Sequence, residues 1–156
     1  MKLILLRHGI AEKKGGDKPD EERRLTDEGN QKMRTIARGL ARLLPGAEAI
    51  YSSPLVRAVE TAQWVARAYG GKLAVETAAA LKPGAGAEAF RELLQSSRAE
   101  CAFFVGHEPD LTALMLDLAR MSSQGELELK KGGCYGLEVE DGAGTLIFML
   151  TPSMLQ

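Results

Sequence analysis

The chain has 156 residues, of which 45% are hydrophobic and 26% are charged, and its formal net charge at pH 7 is −1. This length fits one globular domain, and the composition excludes an intrinsically disordered chain. Lys and Arg are not in the excess that nucleic-acid binding requires, so we expect no nucleic-acid partner.

The cysteines and the amino terminus indicate where the protein resides. Cys101 and Cys134 show no paired spacing, which argues against a disulfide framework and against a zinc knuckle. Only four apolar residues separate Lys2 from Arg7, too few for a signal peptide, and no later stretch is long enough to span a membrane. We therefore expect a cytoplasmic protein without a membrane partner.

In the first half of the chain, the pattern predicts two strands, each followed by a helix. The first strand runs from Lys2 to Leu6 and leads into a polar, exposed loop over Glu12 to Arg24. Thr26 is the predicted N-cap of the first helix, which Pro45-Gly46 ends. A second strand from Glu48 to Ser52 precedes a helix for which the pattern predicts Ser53 as N-cap, Pro54 as first residue and Gly70-Gly71 as terminator.

The second half continues the alternation and ends in a hairpin. The predicted elements are a strand over Leu73 to Glu76, a helix over Glu88 to Leu94, a strand over Cys101 to Val105, a helix that Asp110 could cap, and strands over Cys134 to Glu140 and Thr145 to Thr151 joined by a turn at Asp141 to Gly144. We therefore predict an α/β fold with three α/β/α layers, in which a mostly parallel central sheet carries an antiparallel edge. Residues 1–156 are predicted to form a single domain.

Both histidines of the chain follow apolar strands. His8 stands in Arg7-His8-Gly9, directly after the first strand, and His107 follows Gly106 after the strand that ends at Val105. If the strands ending at Leu6, Ser52 and Val105 are parallel neighbours, right-handed crossovers bring Arg7, His8, Arg57 and His107 to one edge of the sheet.

Two guanidinium groups and two imidazoles in one crevice favour an anion between them. A like-charge pair about 4 Å apart costs roughly 4 kcal/mol at an effective dielectric constant near 20, so the cluster needs a counterion. Phosphate fits, because arginine offers its oxygens a planar fork of donors. One neutral histidine could then attack phosphorus while the other, protonated, stabilises the equatorial oxygens. The residues thus predict covalent phosphoryl transfer.

Each residue taken alone has a simpler interpretation. A single histidine after a strand is commonly a hydrogen-bonded structural residue, and a single arginine such as Arg57 is commonly on the surface. Metal binding needs three or four ligands at suitable spacing, and neither His-x-x-x-His nor Cys-x-x-Cys occurs. Phosphate-binding loops of the Gly-x-x-x-x-Gly-Lys-Ser/Thr type and Gly-x-Ser-x-Gly elbows are also missing. The combination of the four residues therefore carries the prediction.

Three segments in register resemble the histidine phosphatase superfamily, also called the phosphoglycerate mutase-like family: Leu6-Arg7-His8-Gly9, Ser53-Pro54-x-x-Arg57-x-x-x-Thr61 and Gly106-His107-Glu108. The resemblance implies a phosphoglycerate mutase-like fold, His8 as the phosphorylated nucleophile, Arg7, Arg57 and His107 as the rest of the phosphate pocket, and no metal or cofactor. The short chain, without a large cap insertion, is most similar to the SixA-type phosphohistidine phosphatases.

One departure from the family bears on the substrate. Many relatives place a general acid, usually Glu, after the third strand, where this chain has Leu81-Lys82-Pro83. An alkoxide leaving group needs a proton, whereas a phosphohistidine can leave as an imidazole that carries a proton on its other nitrogen. Whether another carboxylate supplies the acid stays open for five candidates: Asp17, Asp20, Glu76, Glu88 and Glu108.

The leading hypothesis is a metal-independent phosphatase that acts on protein phosphohistidine, for example on a histidine phosphotransfer domain. Two alternatives stay open: a phosphomonoesterase acting on a small phosphorylated molecule, and a noncatalytic phosphate-binding or docking module. Nothing in the sequence indicates an obligate assembly, so we expect a monomer. The loop Glu12 to Arg24 and the segment Lys130 to Gly133 are predicted to form the rim that a partner meets. For Lys130 and Lys131 themselves, solvated surface charges are a better explanation than contacts with a partner.

Overall fold

A computed structural model of the chain describes residues 1–123 and 125–156. Its strands and helices, in chain order, are β1 (Lys2–Arg7), α1 (Asp27–Leu43), β2 (Ala49–Ser52), α2 (Val56–Ala68), β3 (Val75–Thr77), α3 (Ala87–Ser96), β4 (Cys101–Gly106), α4 (Asp110–Leu118), β5 (Cys134–Glu140), β6 (Ala143–Leu150) and α5 (Pro152–Leu155). Single 3-10 turns lie at Asp20–Glu22 and Ala79–Leu81. All strands and the longer helices match predicted elements within a few residues, whereas α5 was not predicted.

The strands form one sheet in the order β3-β2-β4-β1-β5-β6. Strands β1, β2, β3 and β4 are parallel, whereas β5 and β6 are antiparallel additions at one edge. In this register Arg7 lies beside Gly106, and Ser52 lies beside Val105. The strands that end at Leu6, Ser52 and Val105 are therefore parallel neighbours, as the sequence predicts.

Successive side chains along each strand point to opposite faces of the sheet, so a separate hydrophobic core forms on each face. On β1, Ile4 and Leu6 pack with residues of α1 and α2, while Leu3 and Leu5 pack with residues of α3 and α4. All four leucine and isoleucine side chains are fully buried, and each such burial contributes about 1.5 to 3 kcal/mol. The three-layer α/β/α prediction is confirmed.

The loop after β1 is held against the start of α1. The Thr26 hydroxyl caps this helix by accepting a hydrogen bond from the Gly29 amide at 3.0 Å, as predicted. Gly29 touches the backbone of Ile10 so closely that a Cβ atom would lie 2.0 Å from the Ile10 carbonyl oxygen. Only glycine fits there, and the contact fixes the path of the chain just beyond His8.

Two helix starts differ from the prediction. Helix α2 begins at Val56 rather than Pro54, because the Ser53 hydroxyl contacts His107 and the Leu55 amide instead of capping the first turn. Asp110 is the first residue of α4 and not its cap, because its carboxylate accepts a hydrogen bond from the Gly84 amide at 3.1 Å. Both side chains thus make long-range contacts that a local pattern does not reveal.

The hairpin between β5 and β6 is tighter than predicted. Its loop is Asp141-Gly142 alone, and both residues have positive φ angles, 48° and 75°. This is the backbone of a type I′ turn, for which Asp-Gly is a favoured pair. Throughout the described ranges 1–123 and 125–156, no helix has the length and apolar character needed to cross a membrane.

Candidate active site

The carboxyl ends of β1, β2 and β4 are tied together by backbone bonds. The His8 amide donates to the Gly106 carbonyl at 3.1 Å, and the Ser53 amide donates to the Val105 carbonyl at 2.9 Å. The buried Thr61 of α2 completes the frame, because its hydroxyl accepts from the Gly9 amide at 3.0 Å and donates to the Arg57 carbonyl at 2.8 Å. The two histidines and Arg57 are therefore mounted on one rigid support.

His8 is held as a neutral imidazole with a defined tautomer. Its side chain is buried, and Nδ1 lies 2.7 Å from the Gly9 carbonyl oxygen. A carbonyl only accepts hydrogen bonds, so Nδ1 carries the proton and Nε2 keeps its lone pair. Burial lowers the pKa of His8 to about 3, and the positive charges of Arg57 and Arg7 act in the same direction. His8 can therefore act as a nucleophile through Nε2 at neutral pH.

His107 lies against His8, with 5.1 Å between the ring centroids. Its Nε2 is 2.8 Å from the Ser53 hydroxyl, and its Nδ1 is buried without a hydrogen-bond partner among the described residues. Burial lowers the pKa of His107 to about 4, with the Arg57 charge as the next cause. By itself this imidazole is neutral at pH 7, whereas the sequence-based picture assigned it a proton.

Each arginine of the cluster is anchored at one end and unpaired at Nε. Arg57 is only 3% exposed and donates to the carbonyl and the carboxylate of Asp20, at 2.8 and 3.1 Å. Arg7 uses Nη1 for the Leu129 carbonyl and the Glu128 carboxylate, at 2.5 and 2.7 Å. The Nε atoms of both arginines are buried and have no partner within residues 1–123 and 125–156.

Together, Arg7, Arg57 and His107 provide three buried ring or guanidinium nitrogens with unused hydrogen-bonding capacity. Leaving a buried donor unsatisfied costs about 1 to 3 kcal/mol, so an oxyanion that accepts these bonds would be stabilised strongly. His107, Arg57 and Arg7 all lie near His8, since the electrostatic effect of each one lowers the pKa of His8. The structure thus brings the four predicted residues together around the His8 ring.

Two residues from the predicted surface loop also belong to this cluster. Asp20 bridges Arg57 and Arg23, and the Arg23 side chain is only 16% exposed. Burial would raise the pKa of Asp20, but the hydrogen bond from Arg23 and the charge of Arg57 outweigh it and lower that pKa. Sequence reasoning placed the loop on the surface and missed Arg23. An arginine three residues after an aspartate, in a loop otherwise rich in lysine and glutamate, was the available signal.

The other candidate acids occupy different settings. Glu108 accepts hydrogen bonds from the Thr112 amide, the Thr112 hydroxyl and the Leu129 amide, at 3.2, 2.7 and 2.9 Å. It therefore pins the start of α4 to the segment that Arg7 also contacts. Three further candidates are exposed: Asp17, Glu76 and Glu88. Within the described part of the chain, no group of three or more His, Cys, Asp and Glu side chains is arranged to hold a metal ion.

The chain that carries this site matches a known protein family. The model of the histidine phosphatase superfamily, branch 1, matches residues 3–83. An uncharacterized protein of Picosynechococcus is 34% identical over 142 residues, which cover 88% of this chain and 84% of that protein.

Solved structures show the same fold at lower identity. The protein histidine phosphatase SixA in complex with tungstate has a TM-score of 0.83 and 22% identity, with 100% of both chains covered. Phosphoserine phosphatase of Entamoeba histolytica, in complex with 3-phosphoglyceric acid, has a TM-score of 0.75 and 20% identity, with 99% of both chains covered. The family model extends over more than half of the chain and includes both the Arg7-His8 pair and Arg57. The chain belongs to the histidine phosphatase superfamily.

Proposed function

We propose that this protein is a phosphatase that works through a covalent phosphohistidine at His8 and that its substrate is protein phosphohistidine. The observation that carries the proposal is the position of the His8 ring next to hydrogen-bonding groups that could bind a phosphoryl group. A neutral imidazole with a free Nε2 lies beside three buried nitrogens that have no partner in the described residues. Membership of the histidine phosphatase superfamily supports the phosphatase activity.

In the first step, the Nε2 lone pair of His8 forms a bond to phosphorus while the bond from phosphorus to the substrate nitrogen breaks. The proton of His8 stays on Nδ1, and its hydrogen bond to the Gly9 carbonyl stabilises the positive charge that the ring acquires. Arg7, Arg57 and His107 bind the equatorial oxygens. The electron pair of the broken bond stays on the nitrogen of the substrate imidazole, which already has a proton on its other nitrogen.

In the second step, water attacks the phosphorus of phospho-His8. The bond from phosphorus to Nε2 breaks, its electron pair returns to the His8 ring, and inorganic phosphate leaves with both protons of the water, as H2PO4−. The bond from Nδ1 to Gly9 keeps the ring in the same orientation throughout. The nucleophile is thus regenerated in its original tautomer.

The carboxylates near the site support a phosphoramidate substrate over an ester. Asp20 has a lowered pKa beside two arginines, Glu108 accepts three hydrogen bonds, and Glu128 pairs with Arg7. Asp20, with its lowered pKa, is a poor source of a proton for an alkoxide, and Glu108 and Glu128 are already engaged as hydrogen-bond acceptors. A phosphohistidine leaving group does not need that proton.

The proposal includes the domain organisation: one catalytic domain over residues 1–156, without a cap insertion, whose open site admits a histidine on the surface of a partner protein. A histidine phosphotransfer domain is a partner of the expected kind. The protein would act as a monomer and would need neither metal nor cofactor.

The test compares kcat/KM for a phosphorylated histidine phosphotransfer domain with kcat/KM for a panel of phosphate esters. We expect the phosphorylated domain to be preferred and a denaturing quench at alkaline pH, where the bond from phosphorus to nitrogen is stable, to trap one phosphoryl group per enzyme. His8→Ala should abolish both turnover and trapping. Arg57→Ala should lower kcat/KM by at least about tenfold, since it removes several charge-assisted hydrogen bonds, while the exposed Arg38→Ala serves as the control.

Three results would contradict parts of the proposal. Retained trapping in His8→Ala would refute the nucleophile. Preference for a small ester would refute the protein substrate and leave a phosphomonoesterase. Phosphate binding without any turnover would leave a noncatalytic phosphate-binding module.

A further inference from the structure

A cavity of about 240 Å³ lies beside His107, between α4 and the segment that connects β3 to α3. His107 forms part of its wall, and so do the apolar side chains of Leu81, Ala87, Leu111 and Leu114. None of these apolar residues has a part in the phosphoryl transfer described above. The cavity thus shares one side chain with the catalytic cluster and extends away from it.

The size of the cavity suits one ring or one branched aliphatic group. An apolar cavity of about 150 Å³ in a protein is known to hold benzene, so this one accommodates a somewhat larger group. It opens to solvent, because Ala113 and Lys82 in its wall are exposed. A group attached to a substrate could therefore enter it from outside.

The charged groups in the wall do not favour a polar occupant. The Asp110 carboxylate accepts from the Gly84 amide, and the Asp117 carboxylate is paired with Arg91. Both are therefore engaged already, and the lysine lies at the exposed rim. The interior of the cavity offers apolar contact rather than hydrogen bonds.

We propose that this cavity is a subsite for an apolar group that the substrate carries next to its phosphoryl group. The inference deepens the proposed function and rests on it, since His107, a residue of the proposed phosphate pocket, also forms part of the cavity wall. On a protein substrate, the occupant is an aliphatic or aromatic side chain beside the phosphohistidine. On a small substrate, it is a ring or alkyl chain of the phosphorylated molecule.

Binding of phosphonates tests the subsite without turnover. We would titrate the protein with methyl-, phenyl-, benzyl- and phenethylphosphonate, which share one anionic head and differ in the apolar group and its reach. The tightest of the three aromatic probes should bind about tenfold or more tightly than methylphosphonate, as expected for burial of a ring. Equal affinity for all four would overturn the proposal.

A filling variant shows where the ring binds. Ala113→Phe places a phenyl group at the cavity wall and should remove the preference for the aromatic probe while leaving methylphosphonate affinity within about twofold. The matched control is Ala79→Phe, at an exposed alanine outside the cavity wall, which should keep the preference. A preference that survives Ala113→Phe, or that Ala79→Phe also removes, would overturn the inference. If thermal unfolding shows that Ala113→Phe does not fold, Ala87→Phe fills the same cavity from α3.

Two phosphohistidine peptides distinguish the sources of the apolar group. They differ only in a leucine or a serine beside the phosphohistidine, and dephosphorylation rates are compared in the parent protein and in Ala113→Phe. A leucine preference that the variant removes assigns the subsite to a protein side chain, whereas no preference assigns it to a small molecule. Aromatic phosphonates that bind preferentially without any phosphoenzyme would refute the proposed function and retain the subsite.

Discussion

Replacement of His8 by glutamine should change how the stability of the protein depends on pH. Burial lowers the pKa of His8 to about 3, compared with 6.5 in the unfolded chain. Above pH 6.5 the ring is neutral in both the folded and the unfolded state, so it does not reduce the free energy of unfolding. As the pH falls below 6.5, the unfolded state takes up a proton that the folded state rejects, and the free energy of unfolding decreases until the pH approaches the folded pKa.

The size of this effect follows from the pKa difference. Each pH unit between the two values costs about 1.4 kcal/mol for one proton, so a decrease from pH 6.5 to pH 4 removes about 3 kcal/mol. Glutamine has no titratable group, so His8→Gln should lose this share of the acid sensitivity. The difference in stability between the two proteins should shift by about 3 kcal/mol in favour of the variant over that range.

Urea unfolding at constant ionic strength, repeated between pH 7 and pH 4, measures this difference. Other acid-sensitive groups remain in both proteins, among them Asp20 and His107, so their contributions largely cancel in the comparison. Parallel curves for the two proteins would refute the reasoning, because they would show that His8 titrates near 6.5 in the folded state.

Three other substitutions test the frame and the anion pocket. Arg57→Lys should weaken inhibition by vanadate by about tenfold or more, because a lysine cannot reproduce the fork of the guanidinium; inhibition constants measure this. Glu128→Gln should tighten binding of inorganic phosphate several-fold, because it removes a negative charge 2.7 Å from Arg7, and calorimetric titration would show it. Thr61→Val should lower the free energy of unfolding by about 1 to 3 kcal/mol, since it leaves the Gly9 amide without its partner, and urea unfolding checks this.

Sequence reasoning worked where topology alone determines position. The order and direction of the strands bring their carboxyl ends to one edge, so any side chain that directly follows β1 or β4 must lie there. His8 and His107 satisfy this condition. The capping role of Thr26 could also be predicted, because a helix cap depends on a few neighbouring residues.

The contacts that hold Arg57 and His107 in the site could not be predicted from the sequence in the same way. Asp20 reaches Arg57 from a loop whose path depends on several long-range bonds, such as those that Arg23 makes with the Glu12 carbonyl and with Asp20 itself. The Ser53 hydroxyl fits two roles equally well by sequence, as a helix cap or as a partner of a distant histidine. Only the three-dimensional arrangement selects the second.

The protonation state of His107 connects the pocket to the charge of its ligand. Burial and Arg57 keep the pKa of His107 near 4, so the ring by itself is neutral at pH 7. One negative charge about 4 Å away contributes roughly 4 kcal/mol at an effective dielectric constant near 20, which corresponds to about three pKa units. A bound dianion should therefore raise the pKa of His107 strongly, and binding of the anion should be accompanied by proton uptake. Calorimetric titration with sulfate at pH 7, where this anion is a dianion and carries no proton of its own, in two buffers of different ionisation enthalpy, measures the number of protons that the protein takes up. We expect about half a proton or more in the parent protein and a clear decrease in His107→Gln. Equal uptake in both would show that the ring titrates independently of the anion, and His107 could not then provide the positive charge that phosphoryl transfer needs.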